Sequence, residues 1–385
     1  MTGSTVQWKE ISMKLKRTFL ILTSLLIVGV LALGVLTVRW YNSYFPSLFK
    51  AMPGFVHALA LDKSQTVYYG LKPTKLSPNG IYYRDRVIVL MYHDVNPEPQ
   101  DIKSLSTADF ERQLELMESN NFHWITMEQY RDFVLHRAPV PDNAVLLTFD
   151  DGYESLYNHA YPLLQKHGAP ASAFLIASKV GDRKGAFPKA TWNQIKEMQQ
   201  GGIEFFSHTF DSHSYVPNSP NKGDLKAKLA HPMYLKKAGR METEEEYEQR
   251  VTEDLRHANE VLQQELGKPN YALAFPYGAY SDSLLKVCEQ LGIELTFTVK
   301  SGLNAPGQKN GYRLNAGGMD NNPALQIELM KLAEKRLAVD YSPFLSIGAR
   351  KAVFLSLTVA VLLIGLLWLR CGWLLVRRRQ SGFSS

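Results

Sequence analysis

The chain has 385 residues, 45% hydrophobic and 21% charged, an ordinary globular composition with room for one large domain or two smaller ones. Its net charge is +6, but much of the excess lies at the two ends beside apolar stretches, which argues for membrane topology and against a nucleic-acid surface. Only two cysteines are present, Cys288 and Cys371. That argues against a disulfide framework and excludes a cysteine-rich zinc site, so any metal must be held by His and carboxylates.

From the N-terminus, Thr18–Val38 is uncharged and long enough to cross a bilayer, and Lys14, Lys16 and Arg17 precede it. Its apolar core is too long for a typical signal peptide, so an uncleaved anchor is expected. A second apolar segment, 352–376, is interrupted by Arg370 and closed by Arg377, Arg378 and Arg379. The positive-inside rule then puts residues 1–17 and the tail 377–385 in the cytoplasm, with the middle of the chain outside the cell membrane. No further span is evident between the two, which argues against a transporter or channel. Residues 39–85 read as a linker.

From about residue 86 the pattern changes. VIVLMY (87–92), AVLLTF (144–149), SAFLIA (172–177), IEFF (203–206), YALAF (271–275) and LTFTV (295–299) read as strands. Between them, 110–120, 155–167, 192–200, 244–266, 281–291 and 323–337 read as helices. Thr191 and Thr243 are the expected N-caps of two of these, with Glu246 completing a capping box for the second. Alternating strands and helices predict an α/β fold, a parallel sheet closed as a barrel or doubly wound. The stretch from Ser214 to about Arg240, rich in Pro, Asn, Lys and Gly, reads as a long surface loop.

The polar residues capable of chemistry follow the strands. His93 and Asp94 follow the first, Asp150, Asp151 and Gly152 the second, Ser207 and His208 the fourth, and Pro276, Tyr277 and Gly278 the fifth. In a parallel α/β fold these strand ends share the face where sites form. Taken singly, each has an ordinary reading: a hydrogen-bonded loop His, or an Asp-Gly turn. Together with His213 on the following bend, they suit a cation held by two imidazoles and one carboxylate, with open positions for water. The other carboxylate is then free to act as general base. A glycosidase needs its two carboxylates to flank a sugar ring, which adjacent residues do not suit.

TFDDGY (148–153), SHTFDSH (207–213) and FPYG (275–278) resemble the motifs of the polysaccharide deacetylases of carbohydrate esterase family 4, the NodB homology domain. The resemblance covers residues 86–340. It implies a distorted (β/α) barrel and metal-dependent hydrolysis of N-acetyl groups on a glycan. Carried over, Asp150 is the general base, Asp151, His208 and His213 hold the metal, and the backbone N–H of Tyr277 helps hold the oxyanion. One divalent ion is implied, zinc first, with cobalt or nickel as alternatives. Two features depart from the family: Ala274 stands where most members have an Arg that orients the catalytic Asp, and no His follows His257. MYHDV (91–95) resembles the branch acting on poly-N-acetylglucosamine of biofilms, in which a first-strand His, here His93, is the general acid. Pro276, Arg313 and Asp320 are expected near the substrate. The expected partners are an N-acetylated polysaccharide and the membrane, with a polysaccharide synthase or export complex as a possible associate and no nucleic acid. Peptidoglycan or another exopolysaccharide is the alternative substrate, and a non-catalytic glycan-binding protein the alternative outside enzymes.

Overall fold

Nine parallel strands build the main sheet of this computed structural model, which describes residues 3–41, 68, 70–99, 101–185, 187–220, 223–337 and 347–381. They are β1 Val87–Tyr92, β2 His123–Trp124, β3 Ala144–Phe149, β4 Ala171–Leu175 and β5 Ile203–Ser207, then β6 Ala272–Ala274, β7 Leu295–Phe297, β8 Asn310–Gly311 and β9 Leu314–Asn315. The order is β8-β7-β6-β5-β4-β3-β1-β9, with β2 beside the start of β3. β8 pairs with β7 at one edge and β9 with β1 at the other. The short segment 310–315 therefore joins both edges, and the curved sheet becomes a distorted barrel. Tyr312 and Arg313 sit in that joint.

Every residue of β1 and of β3 is buried, as a parallel strand covered on both faces requires. Alternation sorts the strand side chains into two cores. Ala272 and Ala274 face the barrel interior with Val87, Leu146, Phe174, Phe206 and Phe297. Leu273 and Phe275 face outward, onto Tyr247, Val251 and Leu255 of the long helix Glu244–Leu266. Each such large apolar side chain contributes about 1.5–3 kcal/mol on burial. The barrel floor is filled by Tyr130 and Phe133 of helix Met127–His136.

Caps set the helix starts. Thr191 caps Trp192–Gln200 and Thr243 caps Glu244–Leu266, as the sequence predicts; each has a reciprocal capping box, the one at Thr191 completed by Gln194. The helix expected over 155–167 is instead a π turn, Leu156–Ala160, followed by an α-helix, Tyr161–His167. Pro162 lies in the first turn of the latter and has no N–H for the regular ladder. Residues 214–240 are not one irregular loop: Tyr215–Pro217 pairs antiparallel with Leu225–Ala227, and Tyr234–Leu235 with Arg240–Met241.

Residues 70–339 form one compact unit. Residues 70–85, expected within the linker, belong to it: Tyr83 is buried, and its hydroxyl donates to the Ala144 carbonyl at 3.0 Å. Residues 42–67 of that linker, 338–340 of the expected domain and 382–385 of the tail lie outside the described residues.

The second unit holds the helices Gly3–Tyr41 and Ile347–Ser381. Met13–Thr37 and Val353–Arg377 are long and apolar enough to cross a membrane. They pair side by side: Phe19 stacks on Trp368 at 5.2 Å, Trp368 Nε1 donates to Thr23 Oγ1, and Gly29 lies against Val361. The pairs run in opposite directions along the chain, so the helices are antiparallel and their basic outer flanks lie at the same end.

Candidate active site

Asp150 and Asp151 follow β3 directly, and the backbone turns between them. Asp151 takes φ 71° and Gly152 φ 64°, both left-handed. A Cβ on Gly152 would lie 2.8 Å from a Leu175 methyl, so glycine is required by space as well as conformation. The turn sends the two adjacent carboxylates apart.

Asp150 faces the barrel interior, where Arg313 grips it with Nη1 to Oδ1 at 2.6 Å and Nη2 to Oδ2 at 2.8 Å. Both side chains are buried, and Arg313 Nε donates to the Thr298 carbonyl at 3.0 Å. Burial alone would raise the proton affinity of Asp150; the Arg313 guanidinium beside it more than offsets this, so the carboxyl lies below its ordinary 3.8.

Asp151 faces the two imidazoles. Its Oδ1 lies 3.4 Å from His208 Nε2 and 3.2 Å from His213 Nε2. Its Oδ2 accepts from the Tyr153 hydroxyl at 2.9 Å, and the Lys189 ammonium sits 3.5 Å above the Tyr153 ring. His208 Nδ1 donates to the Ala274 carbonyl at 2.7 Å, which turns Nε2 toward Asp151. Burial pushes His213 down to about 4, so this imidazole is neutral at neutral pH.

One ligand atom each from Asp151, His208 and His213 lies within 4.8 Å of the others. Asp151 Oδ1 is buried and has no hydrogen-bond partner. A buried carboxylate oxygen that faces two imidazole nitrogens without a hydrogen bond is costly by itself and is satisfied by a cation. The donor set therefore fits one divalent ion of the zinc, cobalt or nickel type.

His93 ends β1 beside this centre, half-buried, and both carboxylates act on it. Burial lowers its proton affinity more than Asp150 and Asp151 raise it. Tyr277 takes φ 59° in the turn Pro276–Gly278, and its ring packs on His213 at 4.8 Å and on Tyr215 at 4.1 Å. Gly278 is forced, since a Cβ there would lie 2.7 Å from the Val299 nitrogen.

Asp150, Asp151, His93, His208, His213 and Tyr277 are thus brought together. Three expected substrate contacts are corrected or left apart. Arg313 is fully buried behind Asp150 and neutralises it. Pro276 is buried and shapes the turn that presents Tyr277. Asp320 is exposed, and no contact among the described residues ties it to the cluster. Asp150 thus has a guanidinium of its own, apart from the cluster around Asp151. The sequence held a signal for this: with Ala274 in place of the usual Arg, a buried carboxylate needed a counter-ion from elsewhere.

The curved parallel sheet thus carries an Asp-His-His cluster and a second, Arg-bound Asp at its strand ends, an arrangement suited to metal-assisted hydrolysis. The family profile described as polysaccharide deacetylase matches residues 137–296. Over 254 residues the chain is 28% identical to the poly-beta-1,6-N-acetyl-D-glucosamine N-deacetylase of Escherichia coli K12, covering 62% of this chain and 36% of that one. The chain thus spans about a third of the length of that relative. It is 26% identical to the enzyme of the same name from Staphylococcus aureus MSSA476, covering 61% of this chain and 80% of the other. Among solved structures, a de-N-acetylase from Aggregatibacter actinomycetemcomitans superposes with a TM-score of 0.58 at 26% identity, over 63% of this chain and all of that one. IcaB from Ammonifex degensii gives 0.55 at 27% identity, over 65% and 98%.

Proposed function

We propose that this chain is a membrane-anchored, divalent-metal-dependent N-deacetylase acting outside the cytoplasm on a polymer of N-acetylglucosamine, with poly-β-1,6-N-acetylglucosamine as the substrate. One observation carries the reading: Asp150, Asp151, His93, His208 and His213 meet at one end of the sheet, and Asp151 Oδ1 is buried and unpartnered between two imidazoles. The substrate assignment rests on the relatives' names and on the position of His93 at the end of the first strand.

Asp151, His208 and His213 would hold the ion, which when bound would lower the pKa of water and polarise the amide carbonyl. Asp150, ionised and oriented by Arg313, takes a proton from the attacking water. The Tyr277 N–H would donate to the oxygen on which charge develops. His93 gives a proton to the leaving amine. The products are acetate and a glycan amine that is protonated at neutral pH, which makes a neutral polymer cationic. The paired apolar helices hold the domain at the membrane where such a polymer emerges, beside any synthase or export complex.

The test is acetate release from poly-β-1,6-N-acetylglucosamine by the full chain in detergent, after chelation and after adding back zinc, cobalt or nickel. Release that requires metal and vanishes in Asp150→Asn supports the reading. One bound equivalent of metal without release moves the substrate to peptidoglycan or another N-acetylated polysaccharide. Absence of metal binding overturns the enzyme reading.

A further inference from the structure

The two imidazoles of the metal site are held by different parts of the fold. His208 belongs to the sheet: its N–H donates to the Leu175 carbonyl at 2.7 Å and its ring to the Ala274 carbonyl. His213 lies on the bend that follows, and that bend contains an unfavourable residue. Thr209 is β-branched yet takes φ 80°, a conformation such residues rarely adopt. Strain of this kind persists only where the surroundings impose it.

Asp254 supplies much of that restraint. Its Oδ2 accepts the Phe210 N–H at 3.0 Å, and its Oδ1 accepts the Asp211 N–H at 3.0 Å and the Ser212 hydroxyl at 2.8 Å. One carboxylate thus binds all three consecutive residues between Thr209 and His213. Its own position is fixed, because the helix Glu244–Leu266 is anchored to the outer core through Tyr247, Val251 and Leu255. One turn further along that helix, the His257 ring packs edge-on against Phe210 at 4.1 Å. Inside the bend, Ser212 N–H reaches Thr209 Oγ1 at 3.1 Å. Backbone bonds from Ala177 and Ser178 hold only the near side, at Thr209 and Phe210.

We infer that Asp254 is the positioning residue of the metal centre: by clamping residues 210–212 to a rigid helix it sets the place of His213 relative to His208 and so the affinity for the ion. The inference rests on the metal-site reading above. Asp254 touches neither the ion nor the ligand side chains in this arrangement, and it acts through the backbone that carries His213. Partners of this kind typically govern metal affinity by about 10- to 100-fold.

The experiment measures zinc and cobalt affinity of the full chain in detergent by competition with a chromophoric chelator, and records the visible cobalt spectrum. Asp254→Ala is expected to weaken binding about 10- to 100-fold and to alter the cobalt bands. Asp254→Asn keeps one acceptor oxygen and is expected to fall between it and the unmodified chain. Glu246→Ala, which removes a capping partner on the same helix far from the bend, controls for general loss of stability and is expected to leave affinity unchanged. Equal affinity in Asp254→Ala and the unmodified chain overturns the role of Asp254 while leaving the metal site standing. Equal weakening in Glu246→Ala also overturns it. An unmodified chain that binds no metal overturns the metal site itself.

Discussion

Arg313 and Asp150 are 163 positions apart in sequence, yet they form a two-pronged ion pair, at 2.6 and 2.8 Å, fully inside the barrel. The pair is possible because segment 310–315 bridges the two edges of the sheet, which places Arg313 opposite the end of β3. Its guanidinium fork matches the carboxylate and fixes both its charge and its orientation.

Removing one partner leaves the other charged, buried and alone. Arg313→Met is therefore expected to destabilise the domain by about 3–5 kcal/mol. Arg313→Lys keeps the charge but loses the fork, and should cost less stability while still lowering kcat. Denaturant unfolding and steady-state kinetics check both. A stability change within about 0.5 kcal/mol in Arg313→Met would contradict the assignment.

The same pair sets a pH dependence. The folded Asp150 carboxyl lies below its ordinary 3.8 because Arg313 outweighs the effect of burial. A depressed pKa gives stability that is fully present above the unfolded value and is lost as pH falls through the folded one. The contribution of Asp150 thus persists through the neutral range and fades only below 3.8. In Arg313→Met burial remains without its counter-charge, so the carboxyl pKa rises. The acid limb of the kcat/KM profile should move to higher pH; an unmoved limb would count against Asp150 as the base.

Metal binding should stabilise the chain by mass action. An ion at about a hundred times its Kd adds about 2.7 kcal/mol, readable as a rise in thermal midpoint on adding zinc. Asp151→Asn removes the one anionic ligand and should abolish the rise along with activity. A zinc-dependent rise surviving in that variant would place the ion elsewhere.

His93 is separable from the metal centre. His93→Asn should leave metal affinity unchanged and lower kcat by about 100- to 10,000-fold. The loss should shrink for substrates whose leaving amine is a weaker base, since those need less help from an acid. A uniform loss across leaving groups would assign His93 to binding.

Gly278→Ala tests the turn that presents Tyr277. The added methyl would meet Val299 Cγ2 at 2.5 Å and the φ of 65° disfavours it, so a cost of about 1–3 kcal/mol is expected. If Tyr277 N–H holds the oxyanion, kcat should fall more than KM rises.

Much of this protein was legible in its sequence. Local physics fixed the buried strands at 87–92 and 144–149, the helix caps Thr191 and Thr243, and the apolar helices at the two ends, because each depends on neighbours within a few positions. Polar residues placed just after strands were enough to gather Asp150, Asp151, His93, His208, His213 and Tyr277, since parallel strands end on one face. What the sequence left open depends on long-range placement. Arg313 read as a substrate contact until the closure of the barrel put it behind Asp150. Asp254 drew no notice, since a lone Asp in an exposed helical pattern shows nothing of the bend it clamps. Residues 214–240 read as a loop because their hairpins are too short to show an alternating pattern. Chain-local signals report which chemistry is available; only the fold decides which charges face each other, because that depends on pairings between segments far apart in the chain.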